Sequence, residues 1–310
     1  MKNTGNGKRK ALKKSDLALL AMLLPGSIYL LVNNYAPMAG LFIAFKKINY
    51  QKGIWGSPWV GLSNFKYLFK TKDALIMTRN TLLYNLVFIA LNIILGVAFA
   101  IMLNEIRGAL LKKGVQTILL MPQIVSMVIV SYMAFAFLSS DNGFINHSIL
   151  EPLGKEKISW YTKTAYWPFI LIFVQAWKNI GYNTLLFLAS VVGIDQSLYE
   201  AAQVDGATRF QQIRHITLPL LRPAMITLGL LMVGRIFYSD FGLFYQVPMD
   251  SGPLLPVTQT IDTYVYRGLS NISSLGMSSA ASFYQSIVGF VVVLTCNLIV
   301  RRVDSDSALF

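Results

Sequence analysis

Charge is in short supply in this sequence. Only 13% of its 310 residues are Asp, Glu, Lys or Arg, while 55% are hydrophobic and mean hydropathy is +0.53. An ordinary soluble domain carries roughly a quarter charged residues. A soluble fold of this length would lack the polar surface to cover its core, so lipid has to cover most of the outside. The single cysteine, Cys296, excludes an intrachain disulfide and a cysteine metal cluster. Two histidines, His147 and His215, lie far apart in sequence, and no metal site is expected. No G-x-x-x-x-G-K-[S/T] loop is present to cradle nucleotide phosphates, and no convergent catalytic set stands out. No cleavage-like site follows the first apolar run, which therefore reads as a retained anchor. Internal repeats, low-complexity linkers and a separate soluble domain are also missing.

What is present is apolar length. Crossing the hydrocarbon core takes about 20 apolar residues in a helix. Such stretches lie near residues 17–45, 81–103, 115–138, 166–192, 224–245 and 280–300, predicting an all-α membrane protein of about six spans. Pro25, Pro37 and Pro122 fall inside or near spans, where bends are tolerable if neighbours re-satisfy the freed carbonyls. The net charge of +13 reads as basic loops beside anionic headgroups, not as a nucleic-acid surface. Lys2, Lys8, Arg9, Lys10, Lys13 and Lys14 in the tail 1–16 place the N-terminus in the cytoplasm. Six spans then also place Arg107, Lys112 and Lys113, the loop with Arg209, Arg214 and Arg222, and the tail 301–310 there. One loop runs against this rule. Lys46, Lys47, Lys52, Lys66, Lys70, Lys72 and Arg79 face only Asp73 in the first external region.

The loop 195–223 reads DQSLYEAAQVDGATRFQQIRHITLPLLRP. Ser197 and Glu200 have capping-box spacing, as do Thr208 and Gln211, so two short helices are predicted. Gly206 suits a left-handed turn between them, and Ala201 and Ala202 leave a shallow surface open to close approach. Pro219 and Pro223 are expected to interrupt the second helix before the fifth span. The local chemistry predicts a compact helical knob, whether for docking or simply as a well-capped loop.

Glu200-Ala201-Ala202, three residues, Gly206, nine residues, then Ile216-x-Leu218-Pro219 resembles the EAA loop of permease subunits of binding-protein-dependent ABC importers. The stretches Asn34–Leu41 and Trp59–Phe65, with Asp240–Phe244 and Asp262–Arg267, are similar to the carbohydrate-uptake branch, in particular its polysaccharide and complex-oligosaccharide permeases. The resemblance implies a type I importer permease arrangement with both termini cytoplasmic. It implies that Glu200, Ala201, Ala202, Asp205 and Gly206 form a coupling helix and turn that dock a cytoplasmic ATPase. It also implies a second homologous permease as a heterodimer partner, two ATPase subunits and an extracytoplasmic solute-binding protein. No cofactor is then expected on this chain, because ATP and Mg²⁺ would be bound by the partner ATPase. A permease for a non-sugar solute is the alternative, and a secondary transporter a more distant one.

Ionisable groups at membrane depth mark ion pairs or pathways. Lys178, Arg235 and Asp240 qualify, and Arg235 and Asp240, five apart, should not share a helix face. Lys178 could pair with Asp240 or line a cavity. Sugars are held by aromatic faces and by amides or charges. Gln175, Trp177, Asn179, Tyr182, Asn183 and Tyr238 are accordingly substrate-pathway candidates, with Asn85, Asn92, Tyr132 and Tyr245 beside them. Trp55, Trp59, Tyr264, Tyr266 and Arg267 suit either docking of the binding protein or headgroup anchoring.

Overall fold

The computed structural model describes residues 14–49, 51–270 and 275–303, with the side chains of 14–18 excluded. The expectations for the basic tail lie almost wholly outside the described residues, as does 304–310. Among the described residues every element is helical, and the one β-bridge joins Lys46 to Trp59.

The chain forms α1 (Leu19–Phe45), α2 (Ser63–Lys70), α3 (Lys72–Glu105), α4 (Ala109–Ile124) and α5 (Met127–Leu138). After a looped segment come α6 (Trp167–Val192), α7 (Gln196–Val204), α8 (Arg209–Val233), α9 (Ile261–Ser270) and α10 (Leu275–Val303). Four of these, α1, α3, α8 and α10, are each long and apolar enough to cross a membrane, and two bent pairs raise the number to six. At 1.5 Å per residue the 34-residue α3 is about 50 Å long, well beyond the roughly 30 Å hydrocarbon core. It therefore projects past the core and ties the two ends of the bundle together. Only Thr71 separates its first residue from α2, while Glu105 at its last residue lies 3.9 Å from Arg209.

Two of the expected spans differ in shape. The stretch 115–138 is not one helix, because α4 and α5 meet at 93°. Pro122 lies in the last turn of α4, and the Ser126 side chain caps α5 by accepting from the Ile129 amide. A helix end and a helix start thus abut. The fifth span begins earlier than 224 and ends at Val233, after which the backbone turns and extends through residues 234–240. Pro219 and Pro223 do not interrupt α8. A π-turn at Ile213–Thr217 ends two residues before Pro219 and widens the helix at His215, four residues back, where the ring would otherwise clash.

α6 packs along α3 and against α4, and α8 closes on α3, α6 and α10. The second group gathers the end of α1, α2 and α9 around α10, with Phe45, Phe65 and Phe283 in mutual edge and tilted contact. Most of α1 is exposed in the single chain, with 6% of its apolar window buried among the described residues. Helices approach closely at small residues because lipid provides no hydrophobic force between them. Gly181 of α6 is the tightest such crossing, since a Cβ there would lie 2.0 Å from the Leu119 carbonyl oxygen of α4. Gly181→Ala is expected to separate α4 from α6, at a cost at the upper end of the roughly 1–3 kcal/mol of core overpacking. Thermal melting of the purified protein in detergent checks this, and Ala189→Gly, on an exposed α6 position, should shift the midpoint far less.

Candidate functional site

The knob stands where α3, α6 and α8 end or begin. Its first helix, α7, is capped by Asp195, whose side chain accepts from the Ser197 amide at 2.9 Å. The expected Ser197–Glu200 capping box does not form. Both residues are cap-type chemically, but Asp195 has the extended backbone of a cap while Ser197 is already helical. The Ser197 amide holds the Asp195 carboxyl below the usual carboxylate range. This helix start is therefore kept by the ionised acid and weakens as pH falls through that lowered value. At the other end Ala207 N–H donates to the Ala202 carbonyl at 2.8 Å and Gly206 N–H to that of Gln203 at 3.0 Å. These are the paired bonds of a Schellman turn, with Gly206 at φ +78° as its left-handed residue. Thr208 and Gln211 then form the second capping box as expected.

Glu200, Ala201, Asp205 and Gly206 are exposed and Ala202 is half-buried, so one face of α7 is open. Val204 and Phe210 stand out at 89% and 70% exposure on a polar knob, an apolar pair that sequence reading missed because each is isolated among polar neighbours. The knob is held from behind. The Tyr199 hydroxyl meets Thr217 Oγ1 at 2.9 Å, Gln212 is buried with its Nε2 donating to the Ala207 carbonyl, and Arg209 reaches Glu105. A polar cavity of about 240 Å³ lies beneath, lined in part by Asn104, Arg107 and Gln203.

In the spans, the polar candidates divide by what they touch. Lys178 does not pair with Asp240. Its ammonium donates to the carbonyls of Pro122 at 3.2 Å and Gln123 at 3.3 Å, and to that of Val125. Pro122 and Gln123 belong to the last turn of α4 and Val125 is its C-cap, where the helix no longer supplies an amide to each carbonyl. A cation at that negative helix end is also favoured by the dipole. Asp240 accepts from the Leu243 amide at 3.1 Å and starts the helical turn that follows. Arg235 and Asp240 are not on one helix at all, because α8 has ended. Asn85 serves this second break, donating to the carbonyls of Ile236 at 2.8 Å and Tyr238 at 3.1 Å.

Gln285 and Asp262, whose structural role no local pattern signals, complete it. Gln285 Nε2 donates to the Phe237 carbonyl at 2.6 Å and to Asp262 Oδ1 at 3.1 Å. Asp262 Oδ2 accepts from the Ser239 amide and hydroxyl at 2.6 and 2.7 Å. Asn80 likewise binds the carbonyls of Pro256 and Gln259. The one available signal was an amide or acid beside each interruption.

Of the remaining candidates, Asn179 donates to the Gln175 carbonyl within α6, and Trp177 packs on the apolar core. Gln175 and Asn183 are buried, and the Gln175 Oε1 has no hydrogen-bond partner among the described residues. Asn92 is half-buried. Tyr245 sits between Phe241 and Tyr266. Arg267 pairs with Asp250 at 2.7 Å and is thereby engaged, while Tyr264 packs into the α10 core. Arg235, Tyr238, Tyr182 and Tyr132 are left exposed, and the Arg235 side chain has no hydrogen bond or ion pair among the described residues.

Lys178→Met is expected to remove the side-chain donor of the Gln123 and Val125 carbonyls and leave Pro122 with the Val125 amide alone, at a cost of a few kcal/mol on the scale of charge-assisted bonds. The check is the melting midpoint without solute, with Lys178→Arg retaining most of it. An unchanged midpoint with altered solute affinity would mean that Lys178 reads solute instead.

Residues 92–305 match the family model described as the binding-protein-dependent transport system inner membrane component. The chain is 34% identical to Protein LplB of Bacillus subtilis over 95% of its own length and 92% of the relative's. It is also 34% identical to the polygalacturonan/rhamnogalacturonan transport system permease protein YteP of the same organism, over 93% of this chain and 89% of that one. Among solved structures it is similar to a chain of a bacterial alginate ABC transporter in complex with an alginate pentasaccharide-bound periplasmic protein. There the TM-score is 0.83 with 32% identity, over 94% of this chain and 96% of the other.

Proposed function

The chain belongs to the binding-protein-dependent transport system inner membrane component family, and from that premise we propose that it forms half of the membrane pathway of an ATP-driven importer for an acidic oligosaccharide. The observation that carries the coupling half of this reading is the knob. It is a short helix held rigidly from behind by Tyr199, Gln212 and Arg209, with an open face at Glu200, Ala201 and Ala202 and apolar tips at Val204 and Phe210. An aromatic or aliphatic tip that fills a pocket is the kind of anchor on which interfaces depend. The partner docked there is the ATPase chain, which binds ATP and Mg²⁺. This chain itself performs no chemistry. The knob, the α3–α4 connection with Arg107 and the Arg301–Arg302 end of α10 then face the cytoplasm, and the Lys46–Lys72 end faces outward.

A second, related permease supplies the other half of the pathway, and a solute-binding protein delivers the sugar at the outer end. An acidic sugar is supported by the relatives. Polygalacturonan and alginate are both uronate polymers, and YteP and the solved transporter are named for them. Within this chain, Arg235 is the span-candidate cation with no partner among the described residues, and Tyr238 and Tyr182 present exposed rings. A guanidinium pairs with a carboxylate through two parallel bonds, and an aromatic face suits the C–H surface of a sugar ring. Substrate movement follows from ATP binding at the ATPase pair. The coupling helices are drawn together, the spans turn about their breaks, and the site opens toward the binding protein. Hydrolysis reverses the motion.

Gly206→Val forces a β-branched residue into the left-handed region and distorts the knob turn, a strain of roughly 1–2 kcal/mol confined to that surface. In proteoliposomes with the ATPase and the loaded binding protein, it is expected to lower the sugar moved per ATP hydrolysed while the melting midpoint barely changes. A wild-type ratio in a folded variant would overturn the coupling assignment.

A further inference from the structure

The shelf at residues 46–72 is left unexplained by transport and violates the usual bias of basic loops toward the cytoplasm. It is built, not loose. Lys46 donates to the carbonyls of Ile54 and Trp55, both at 3.0 Å, and Asn64 to those of Ala44 and Lys46 at 2.8 and 3.0 Å. Trp59 stacks on Phe45 at 5.6 Å, which places the shelf where the apolar run of α1 ends. α2 buries Leu68 against the bundle, and Phe69 meets Tyr284 of α10 edge-on at 5.3 Å. On this scaffold Lys47, Lys52, Lys66, Lys70 and Lys72 are all exposed and none forms an ion pair among the described residues. Between them stand Trp55, Trp59 and Tyr67, each more than half exposed. An open cleft of about 640 Å³ has Lys47 and Lys70 on its rim, Ser63, Asn64 and the Tyr67 ring beside them, and Met277 in its wall.

We propose that this cleft is a binding site for the headgroup of an anionic phospholipid, its phosphate held between the Lys47 and Lys70 ammonium groups and its upper acyl chain lying along Val60 and Met277. The occupant is argued from three coincident features. The charge is of one sign with only Asp73 nearby, which calls for an anion. Indole and phenol rings mixed with lysine are the chemistry of the membrane interface, where an apolar body meets a wet headgroup. The shelf is also carried by α1 and α10, and α1 is almost unburied within the chain. The site depends only on membrane residence, so it stands or falls separately from the transport reading and from which leaflet the shelf faces.

The test is native mass spectrometry of the whole purified transporter, exchanged into phosphatidylglycerol or phosphatidylcholine micelles and released at graded energy. Wild type is expected to retain phosphatidylglycerol in preference to phosphatidylcholine. Lys47→Gln with Lys70→Gln should cut that retention by about tenfold or more, since each lysine near an anionic surface contributes roughly a fivefold factor. Lys112→Gln with Lys113→Gln, at the other end of the bundle, should leave it unchanged. A second measurement needs no variant, because phosphatidylglycerol should raise the wild-type melting midpoint and added salt should reduce the rise. Equal retention of both lipids, or undiminished phosphatidylglycerol retention in the shelf variant, overturns the proposal. So does a shelf variant that keeps its lipid but loses affinity for the solute-binding protein, which would assign the surface to that protein.

Discussion

A carbonyl oxygen inside a bilayer has no water to accept from, and every interruption of a spanning helix exposes several of them. Among the described residues the chain interrupts its apolar helices between α4 and α5 and again after α8. It answers each interruption with side chains from neighbouring helices. Lys178 of α6 covers the end of α4, while Asn85 of α3 and Gln285 of α10 cover the end of α8. The packing of α6 on α4, including the backbone contact at Gly181, brings the lysine within reach. The arrangement of the bundle and the satisfaction of its broken backbone are thus one problem with one solution.

That solution divides the polar groups of the spans. Lys178, Asn85, Asn80 and Asp262 are committed to backbone or loop partners. Arg235, Tyr238 and Tyr182 are uncommitted and exposed in the single chain. Breaks of this kind also allow a helix segment to swing without losing its internal hydrogen bonds, since the change in φ and ψ is absorbed at a few residues. The knob is attached differently. Glu105, Thr217 and Gln212 bind it to the ends of α3 and α8, so a displacement of α7 is carried to the long helices.

The knob was legible in the sequence because caps and turns are local chemistry. Gly206 and the Thr208–Gln211 box could be read from spacing alone. The first cap was misread because Asp195 and Ser197 are both good cap residues two positions apart, and only the backbone geometry chooses between them. The spans were legible as apolar lengths, and their interruptions were not. Pro122 signalled a bend but not a 93° turn. The wheel relating Arg235 to Asp240 assumed a helix that ends at Val233. The role of Lys178 required knowing that α4 ends beside α6, a long-range fact that no local pattern carries. The basic shelf was visible as an anomaly of charge, and its ordered scaffold became apparent only from Lys46 and Asn64 binding the turning backbone.

The central claim is that the knob is where an ATPase chain grips this one. Ala201 is exposed on its open face, and Cys296 is the one native thiol. The direct measurement is oxidative cross-linking in membranes. Ala201→Cys would be placed in a Cys296→Ser background and co-expressed with the ATPase carrying single cysteines along its membrane-facing surface. The account requires a cross-link between the two chains at some of those positions, changing in yield when ATP is bound. Failure at every position, with Trp55→Cys on the shelf cross-linking in its place, would contradict it.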